Sequence, residues 1–406
     1  MANNFKNTSL VTRVALKEFM NALQLGAKVD RQMDGQFRKV GSSIDVRRPV
    51  MFEAVSGATI SSADDIEERA ATLTLDQRKH VAFEITSQDM TLSVEDMTER
   101  YIRPAMAELA QDVESSIADV YKQIGNFVGT PGTAPSTFLE VGAASKVLKK
   151  LGVPMDRPWC AFYDEDASLS LADGLKGVFP QDIAKKAIER ASIGRYAGFE
   201  LYENQSLKLH TVGAHGGTPV VNGASQNVTY AASGDAWTQS LITDGWTAST
   251  AVLKEGDVFT LAGVNSVNRK TRQDTGDLQT FVVTADGTSD GSGNLTCTIS
   301  PPMITSGPYQ TVSAAPADNA AITVKTGTAS TSYKQNLAFH PNAITLATAP
   351  LDLPVDGATA SRESFGNISI RAARQYDITN DKTIFRFDIL YGVKALNPDF
   401  AVRTTS

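Results

Sequence analysis

The side chains that could do chemistry in this sequence include four histidines, and their spacing matches no known metal motif. His80, His210, His215 and His340 never fall in the His-Glu-x-x-His pattern or in another zinc spacing. His210 and His215 are the closest pair, five residues apart in a glycine-rich stretch. We interpret that stretch as an ordinary exposed turn rather than as a metal site.

Two groups of carboxylates come closer to a functional pattern. Asp164-Glu165-Asp166 follows a predicted strand, where a hydrolase or a metal site could place its acids. The same three residues suit the first turn of a helix, whose dipole favours negative charge, and we prefer this interpretation. Asp286 to Gly293 is similar to the start of a calcium loop, but Cys297 stands where the closing Glu is required. We therefore predict a hairpin turn there.

Nucleotide and nucleophile motifs are absent from the sequence. There is no phosphate loop, and Gly213-Ala-His-Gly-Gly217 does not match a dinucleotide fingerprint. No serine lies in a Gly-x-Ser-x-Gly elbow. The sequence thus predicts no catalytic residue, no metal ligand and no cofactor, and we expect a protein that is not an enzyme.

Composition narrows the class of protein further. The chain has 406 residues, of which 42% are hydrophobic and 20% charged, so we expect two or three folded units. A net charge of −7 argues against a strong sequence-independent nucleic-acid binder, which needs clustered Lys and Arg. No signal peptide and no apolar run of membrane-spanning length are visible. The sequence therefore predicts a soluble cytoplasmic protein that does not associate with a membrane. Cys160 and Cys297 are expected to be buried thiols.

The elements of the first third must be supported by something outside them. Apolar spacing predicts an amphipathic helix over Thr8–Leu25. Alternation predicts strands over Ser43–Phe52 and Leu73–Thr86, joined by the polar stretch Ser56–Arg69 into a long ribbon. An isolated two-stranded ribbon is marginally stable, so we expect another copy of the protein to cover it. A long helix is predicted from Ser93 to about Phe127, with Pro104 either kinking it or lying in a first turn.

The rest of the chain changes character twice. Residues 136 to about 221 are of mixed α/β type, with the predicted helices Ala143–Leu151 and Pro180–Ala191 and the predicted strands Trp159–Tyr163 and Ala197–Tyr202. From about 222 to 333 Gly, Ser, Thr and Asn dominate, and short strands with frequent turns favour an all-β sandwich or barrel. The mixed character then returns, with predicted strands at Ile368–Arg371, Thr383–Ile389 and Tyr391–Val393. A β module inside a mixed domain is typical of an insertion at a surface loop.

Four stretches carry a resemblance to a known family. They are Gly256–Val283, Gly194–Asn204 with His210–Gly213, Asn336–Ala343, and Arg386–Val393. In their order and spacing the chain resembles the major capsid proteins of tailed phages, which have the Hong Kong 97 fold, and among them the coat proteins of short-tailed phages of the Salmonella type. The resemblance implies an α+β capsid fold with an inserted all-β domain. The implied segments are an N-arm (1–40), an extended loop (41–92), a spine helix of the peripheral domain (93–132), an axial domain (133–221), the insertion (222–334), and a return to axial and peripheral strands (335–406).

The resemblance also implies a function and partners. The chain would be a structural subunit that self-assembles, as hexamers and pentamers, into the icosahedral shell around phage double-stranded DNA, bound without sequence specificity. A scaffolding protein during assembly and a portal protein are implied, with assembly in the host cytoplasm and residence in the virion. One departure concerns Gly234–Gly245, which is short and nearly uncharged where the Salmonella type has a long charged loop. Two alternatives stay open: a β-rich ligand- or glycan-binding module, and a head-completion or tail protein.

Overall fold

The computed structural model describes residues 7–32, 43–48, 50–52, 68–86, 98–174, 194–354 and 358–406. The described chain is a mixture of helices and antiparallel-rich sheets, which confirms the α+β class. Two compact units divide it. The first comprises 1–45, 72–117 and 344–394, and the second comprises 46–71, 118–343 and 395–406.

The helices and strands are numbered here in chain order. The α-helices are α1 (Asn7–Ala22), α2 (Arg103–Ala118), α3 (Phe138–Leu151), α4 (Glu165–Gly174) and α5 (Tyr230–Ser233). The strands are β1 (Ser43–Arg47), β2 (Ala70–Thr74), β3 (Gln77–Thr86), β4 (Phe127–Val128), β5 (Trp159–Tyr163), β6 (Arg195–Tyr196), β7 (Phe199–Glu203), β8 (Leu209–Thr211), β9 (Gly217–Val221), β10 (Gln239–Trp246), β11 (Val258–Val267), β12 (Asp274–Val283), β13 (Leu295–Ser300), β14 (Ile322–Val324), β15 (Ser332–Phe339), β16 (Ile344–Ala349), β17 (Thr359–Phe365), β18 (Ile368–Asp377), β19 (Lys382–Ala395) and β20 (Ala401–Thr405). A π-helical turn (Thr98–Ile102) precedes α2, and short 3-10 helices lie at Asp119–Gln123, Pro341–Ala343 and Pro398–Phe400.

The first unit is built on a sheet in which β16, β19, β18 and β17 follow one another and β3 also pairs with β19. A buried carboxylate, Asp388 on β19, ties three of these strands together. Its Oδ2 accepts a hydrogen bond from Arg371 at 2.7 Å and its Oδ1 accepts one from Arg386 at 2.8 Å, while Arg78 lies 3.8 Å away. Burying this charge is tolerable because the arginines neutralise it.

The predicted ribbon strand over Leu73–Thr86 was wrong in its extent. The chain forms two strands there, β2 and β3, and only β2 pairs with β1 in a two-stranded sheet. β3 instead pairs along its whole length with β19, from Gln77 against Tyr391 to Thr86 against Lys382. Single-sequence periodicity cannot separate the two because the alternation runs through the junction. The expected need for a second copy therefore does not extend to β3.

The second unit contains a sheet in which β4, β20, β15, β5, β7 and β6 follow one another, and β8 also pairs with β15. α3 packs on this sheet through Val141, Ala144 and Leu148, which are fully buried. α3 begins at Phe138, five residues before the predicted Ala143. The earlier start follows from a capping box, in which Thr137 and Glu140 bond each other's backbone N–H groups.

Strands β9 to β14 form a closed barrel with an apolar core. Its sheet runs in the order β14, β11, β12, β13, β10, β9. An antiparallel bridge between Val220 and Ala321 joins the two ends of that order. The inward residues form one cluster that includes Phe259, Phe281 and Ile299, all fully buried. The first barrel strand is Gly217–Val221, before the predicted boundary at 222, because the composition changes only after that strand.

Other predicted elements have mixed outcomes. The predicted strands at Trp159–Tyr163, Ile368–Arg371 and Thr383–Ile389 are confirmed within β5, β18 and β19. Pro104 lies in the first turn of α2, which was one of the two expectations for the long helix. The predicted start of that helix at Ser93 and the predicted helix Pro180–Ala191 lie outside the described residues.

Candidate functional site

The carboxylate groups considered for catalysis have structural roles. Glu165 and Asp166 occupy the first turn of α4, and Asp164 Oδ1 accepts a hydrogen bond from the Ala167 N–H at 3.2 Å. The predicted acidic helix start is thus confirmed. Asp290 lies in the connection between β12 and β13, and its Oδ1 accepts the N–H groups of Ser292 and Asn294 at 2.8 Å each. This confirms the predicted hairpin connection.

The histidines are dispersed. His340 is fully buried, and its Nδ1 accepts the Asn342 N–H at 3.1 Å, so that Nε2 donates to Asp156 at 2.9 Å. His80 is exposed on β3. The prediction of an exposed turn was wrong for His210, which lies on β8 with 3% of its surface exposed. His215 instead bonds the Gly327 carbonyl at 2.9 Å.

His210 belongs to a buried cluster around Asp257, which we call the anchor of the inserted domain. Asp257 follows a turn just before β11 and is completely buried. Its Oδ1 lies 2.9 Å from His210 Nε2 and 2.9 Å from Thr326 Oγ1. Its Oδ2 accepts the backbone N–H groups of Gly213 at 3.0 Å and Lys254 at 2.7 Å. One carboxylate therefore bonds three separate segments of the chain. They are the segment of His210 and Gly213, the turn at Lys254, and the segment of Thr326.

The proton positions in the anchor follow from the partners. Tyr121 Oη lies 3.1 Å from His210 Nδ1, and burial raises the pKa of Tyr121 to about 12. The phenol therefore keeps its proton and can donate a hydrogen bond to Nδ1, while the Asp257 carboxylate accepts one from the N–H at Nε2. Burial opposes ionisation of Asp257, but the hydrogen bonds from His210, Lys254 and Gly213 outweigh it and hold the carboxyl pKa below its usual range.

A buried arginine completes the anchor. Arg403 on β20 is fully buried, and its Nη2 donates to the Gly256 carbonyl at 2.7 Å. Its guanidinium lies over the rings of Tyr121 at 5.4 Å and Phe127 at 5.9 Å. Burial lowers its pKa to about 10, and the nearby Asp257 carboxylate partly offsets that loss. Arg403 thus stays charged at neutral pH and links the C-terminal strand to the barrel.

Two glycines make room for the anchor. Gly256 has a φ of +98°, and a Cβ there would lie 3.3 Å from both the His210 and the Tyr121 rings. A Cβ on Gly213 would lie 2.4 Å from the Val252 carbonyl oxygen. Both positions therefore require glycine, for backbone conformation at the first and for close backbone approach at the second.

A second set of contacts also holds the barrel. Lys150 at the end of α3 donates to the Thr275 carbonyl at 2.9 Å and pairs with Asp277. The Asn268 side chain donates to the Lys150 carbonyl at 2.7 Å, and Arg269 pairs with Asp399 at 3.2 Å. The barrel is thus attached to the rest of the second unit at two separate places.

The predicted ribbon contacts the barrel of its own chain at Arg48 and Arg69. The Arg48 guanidinium lies 5.2 Å from the Trp237 ring, and that of Arg69 lies 5.8 Å from the Tyr230 ring. Arg69 also donates to the Ala231 carbonyl at 2.7 Å. The sequence had led us to expect a second copy as the cover of this ribbon. Its base is instead covered within the chain, although the loop's outer residues 53–67 lie outside the described part.

These contacts border a cavity of about 560 Å³, which we call the basic aromatic pocket. Aromatic walls come from the barrel, where the Tyr230 and Tyr309 rings stack at 3.6 Å, and from Trp237. Four cationic side chains line it, and Asp399 is the one acid among its described lining residues. The cationic residues are Arg48, Arg269, Lys270 and Arg272. The pocket is thus both apolar and positively charged.

Large apolar side chains are exposed on both units. In the second unit, Phe138, Leu139 and Leu169 are 61%, 79% and 67% exposed. In the first unit, Phe365 is 70% exposed and Ile378, in the turn between β18 and β19, is 85% exposed. Such residues on several faces suit a subunit that is covered by neighbours.

Within the described ranges, no three His, Cys, Asp or Glu side chains come together in a way that could hold a metal ion. No helix among the described residues is long and apolar enough to cross a membrane. Both cysteines are free and buried, as predicted, and burial raises the pKa of Cys297 to about 12.

Comparisons with known proteins gave a match to one family model and several similar solved structures. The chain matches the family model described as P22 coat protein, gene protein 5, over residues 1–403. No curated protein matches it. Among solved structures it is similar to one of Mycobacterium phage Che8 (16% identity, 95% of this chain and 90% of that chain, TM-score 0.48) and to the capsid of Ralstonia phage GP4 (7% identity, 91% and 84%, TM-score 0.44). It is also similar to the CUS-3 coat protein I-domain (30% identity, 27% and 97%, TM-score 0.20).

The family match covers nearly the whole chain and defines a phage coat protein. The chain belongs to the P22 coat protein family. It is a structural major capsid protein that assembles with its own copies into the icosahedral shell of the virion. The resemblance drawn from the four sequence stretches is thereby confirmed.

Sequence reasoning missed the anchor itself. Tyr121, His210, Asp257 and Arg403 are separated by 47 to 146 residues at successive steps, so that no local motif contains two of them. Asp257 lies in the stretch Gly256–Val283, which indicated only a family resemblance. The one available signal was His210 before a glycine-rich stretch, and it pointed to no partner.

Proposed function

We propose that this subunit builds its shell by geometry rather than by catalysis, and that the shell encloses phage double-stranded DNA without sequence-specific contacts. Hexamers and pentamers of the chain assemble in the host cytoplasm with a scaffolding protein, and a portal protein occupies one vertex. The roles of the segments follow the order N-arm (1–40), extended loop (41–92), spine helix (93–132), axial domain (133–221), insertion (222–334) and return (335–406). The family membership supports this proposal.

The proposal that the shell is built by geometry depends on one observation, the contacts that fix both ends of the proposed extended loop on the barrel. Arg48 and Arg69 hold the base of the loop on the barrel, so that the loop leaves the subunit in a defined place. A strand presented from a fixed base can pair with the sheet edge of a neighbour, where its backbone groups are satisfied. Many such weak contacts together give a stable shell.

The sequence left two other functions open. A ligand- or glycan-binding module would use the barrel, and a head-completion or tail protein would form rings or tubes. The described barrel is filled by side chains such as Phe259 and Phe281 rather than hollow, and the basic aromatic pocket beside it does not outweigh the family membership. The coat function therefore stands as the proposal.

Deleting Ser56–Glu67 tests the loop. The deletion keeps Glu68 and Arg69, so that the contacts of the loop base with the barrel are retained. We expect a folded, monomeric chain that no longer forms shells when co-expressed with the scaffolding protein. Negative-stain electron microscopy and sedimentation velocity measure this outcome. A chain with residues 56–67 in scrambled order is the matched control for loop length, and normal shells from the deletion would refute the proposed role.

A further inference from the structure

The basic aromatic pocket has a shape and charge that call for an acidic, apolar occupant. Its volume of about 560 Å³ lies within the range of ligand-binding cavities. Burial lowers the pKa of Arg48, so this cation is held in a partly dry site. Arg48 Nε and Arg269 Nη2 are buried atoms without a hydrogen-bond partner in the described chain. Such donors favour a carboxylate that can accept from them.

A complementary element lies on the first unit of the same chain. The turn that joins β18 to β19 has the sequence Asp377-Ile-Thr-Asn-Asp381. Ile378 has the largest exposed fraction, 85%, of the large apolar side chains described. Asp377 accepts hydrogen bonds from the Thr379 N–H at 2.9 Å and from Asn380 Nδ2 at 2.7 Å, which lower its pKa and keep it charged. An apolar side chain between two carboxylates is thus presented on a braced turn.

We propose that the Asp377–Asp381 turn of one copy docks in the basic aromatic pocket of a second copy. Ile378 occupies the apolar space beside Trp237, and the two carboxylates face the cations of the pocket. The inference rests on the coat function, because it concerns a contact between copies. It names a specific pair of surfaces that shell formation alone does not imply.

Two observations favour this occupant over other exposed apolar residues. Phe138 and Leu139 are the first residues of α3, whose exposed face also carries Lys146 and Lys149, so this face would repel the cationic pocket. Ile384 lies between Lys382 and Arg386 on β19. The turn around Ile378 combines exposure with a net negative charge, which steers it toward a cationic pocket.

Site-directed cross-linking tests the contact directly. Cys160 and Cys297 are both buried, so an introduced surface cysteine is the reactive one. Full-length Ile378→Cys and Lys270→Cys chains are assembled together in equal amounts and treated with a short bismaleimide. We expect a covalent dimer on denaturing gels from the mixed shells and at least a tenfold weaker band from shells of either variant alone. Leu169→Cys mixed with Lys270→Cys is the matched control, because Leu169 is also exposed but lies elsewhere.

A charge exchange gives a second readout. Lys270→Glu and Asp377→Lys should each reduce the yield of shells several-fold, and the two changes combined in one chain should restore it. Mixed shells that form normally without a cross-link would overturn the docking contact and leave the coat function intact. Equal shell yields from Ile378→Ser and wild-type chains would overturn it as well, and would point to a different occupant. A wild-type chain that forms no shells under any condition would overturn the coat function and the contact together.

Discussion

Replacing Asp257 with Asn is the sharpest test of the anchor, because the change keeps the shape of the side chain and removes its charge. The carboxylate accepts four hydrogen bonds, two on each oxygen. An amide offers one oxygen and one NH2 group, so one pair of donors loses its acceptor. If the amide oxygen faces Gly213 and Lys254, then the NH2 group faces the donors of His210 and Thr326.

The cost follows from the number of donors left without an acceptor. A buried donor without a partner costs about 1–3 kcal/mol, so two of them cost about 2–6 kcal/mol. Rotation of the Thr326 hydroxyl can relieve one of the two unpaired donors. We therefore expect the free energy of unfolding to fall by about 3 kcal/mol. A loss of that size is a large part of the 5–15 kcal/mol or so that stabilises a typical domain. We therefore expect a clearly lower unfolding midpoint.

Urea unfolding followed by tryptophan fluorescence measures this loss. Trp237 and Trp246 report on the barrel, and Trp159 reports on the axial sheet. Asp290→Asn is the matched control, since Asp290 also caps backbone N–H groups but lies in an exposed turn. We expect that control to shift the unfolding midpoint much less than Asp257→Asn does. An Asp257→Asn midpoint equal to that of the wild type would refute the role of the anchor.

The pH dependence of the same variant provides an independent check. The pKa of Asp257 is lower in the folded chain than in the unfolded one. Its stabilising contribution is therefore complete above the unfolded pKa of about 3.9, and it is lost as the pH falls through the folded value. The wild type should lose more unfolding free energy than Asp257→Asn on acidification from pH 5 toward pH 2. Parallel losses in the two chains would contradict the assignment.

Three further outcomes are expected. A fragment of residues 214–331 should unfold cooperatively in urea. A fragment of residues 222–334 lacks β9 and should be much less stable. Equal unfolding midpoints of the two fragments would contradict the observed closure of the barrel. Asp388→Asn should lower the free energy of unfolding by about 3 kcal/mol, because it leaves the partly buried Arg371 guanidinium beside a neutral partner; a change below 1 kcal/mol or so would argue against the role of the buried carboxylate. Cys160 and Cys297 should resist a thiol reagent at pH 8 in the native chain and react in urea, whereas rapid native labelling would contradict their burial.

Several strands could be predicted from the sequence, and their pairing could not. β5 is buried at every position and β19 alternates in part, and a short apolar run or a partial alternation is a local signal. The pairing of β3 with β19 joins residues about 300 positions apart, and nothing in either strand specifies the other. The start of α3 was missed because the capping box of Thr137 and Glu140 extends the helix beyond its apolar pattern.

The site shows the same limit more strongly. The anchor brings together single polar residues from five segments, and each has an ordinary local context. His210 looked like part of an exposed turn because its neighbours are small and flexible. Its burial depends on Tyr121, Asp257 and the absence of a side chain at Gly256, none of which is adjacent to it in sequence. A buried polar network of this kind can be found only once the fold is known.

The anchor also bears on how the barrel can act in a shell. Inserted domains usually join their hosts by two flexible connections, and relative motion is then the default. Here both connections are bonded to one carboxylate, which the Gly213 N–H and the Thr326 hydroxyl reach from opposite sides. The contacts of Lys150 and Arg269 hold the barrel at a second place. Two separate attachments oppose rotation of the barrel against the rest of the second unit. Loss of Asp257 would leave one attachment, and the barrel would then be free to turn without unfolding.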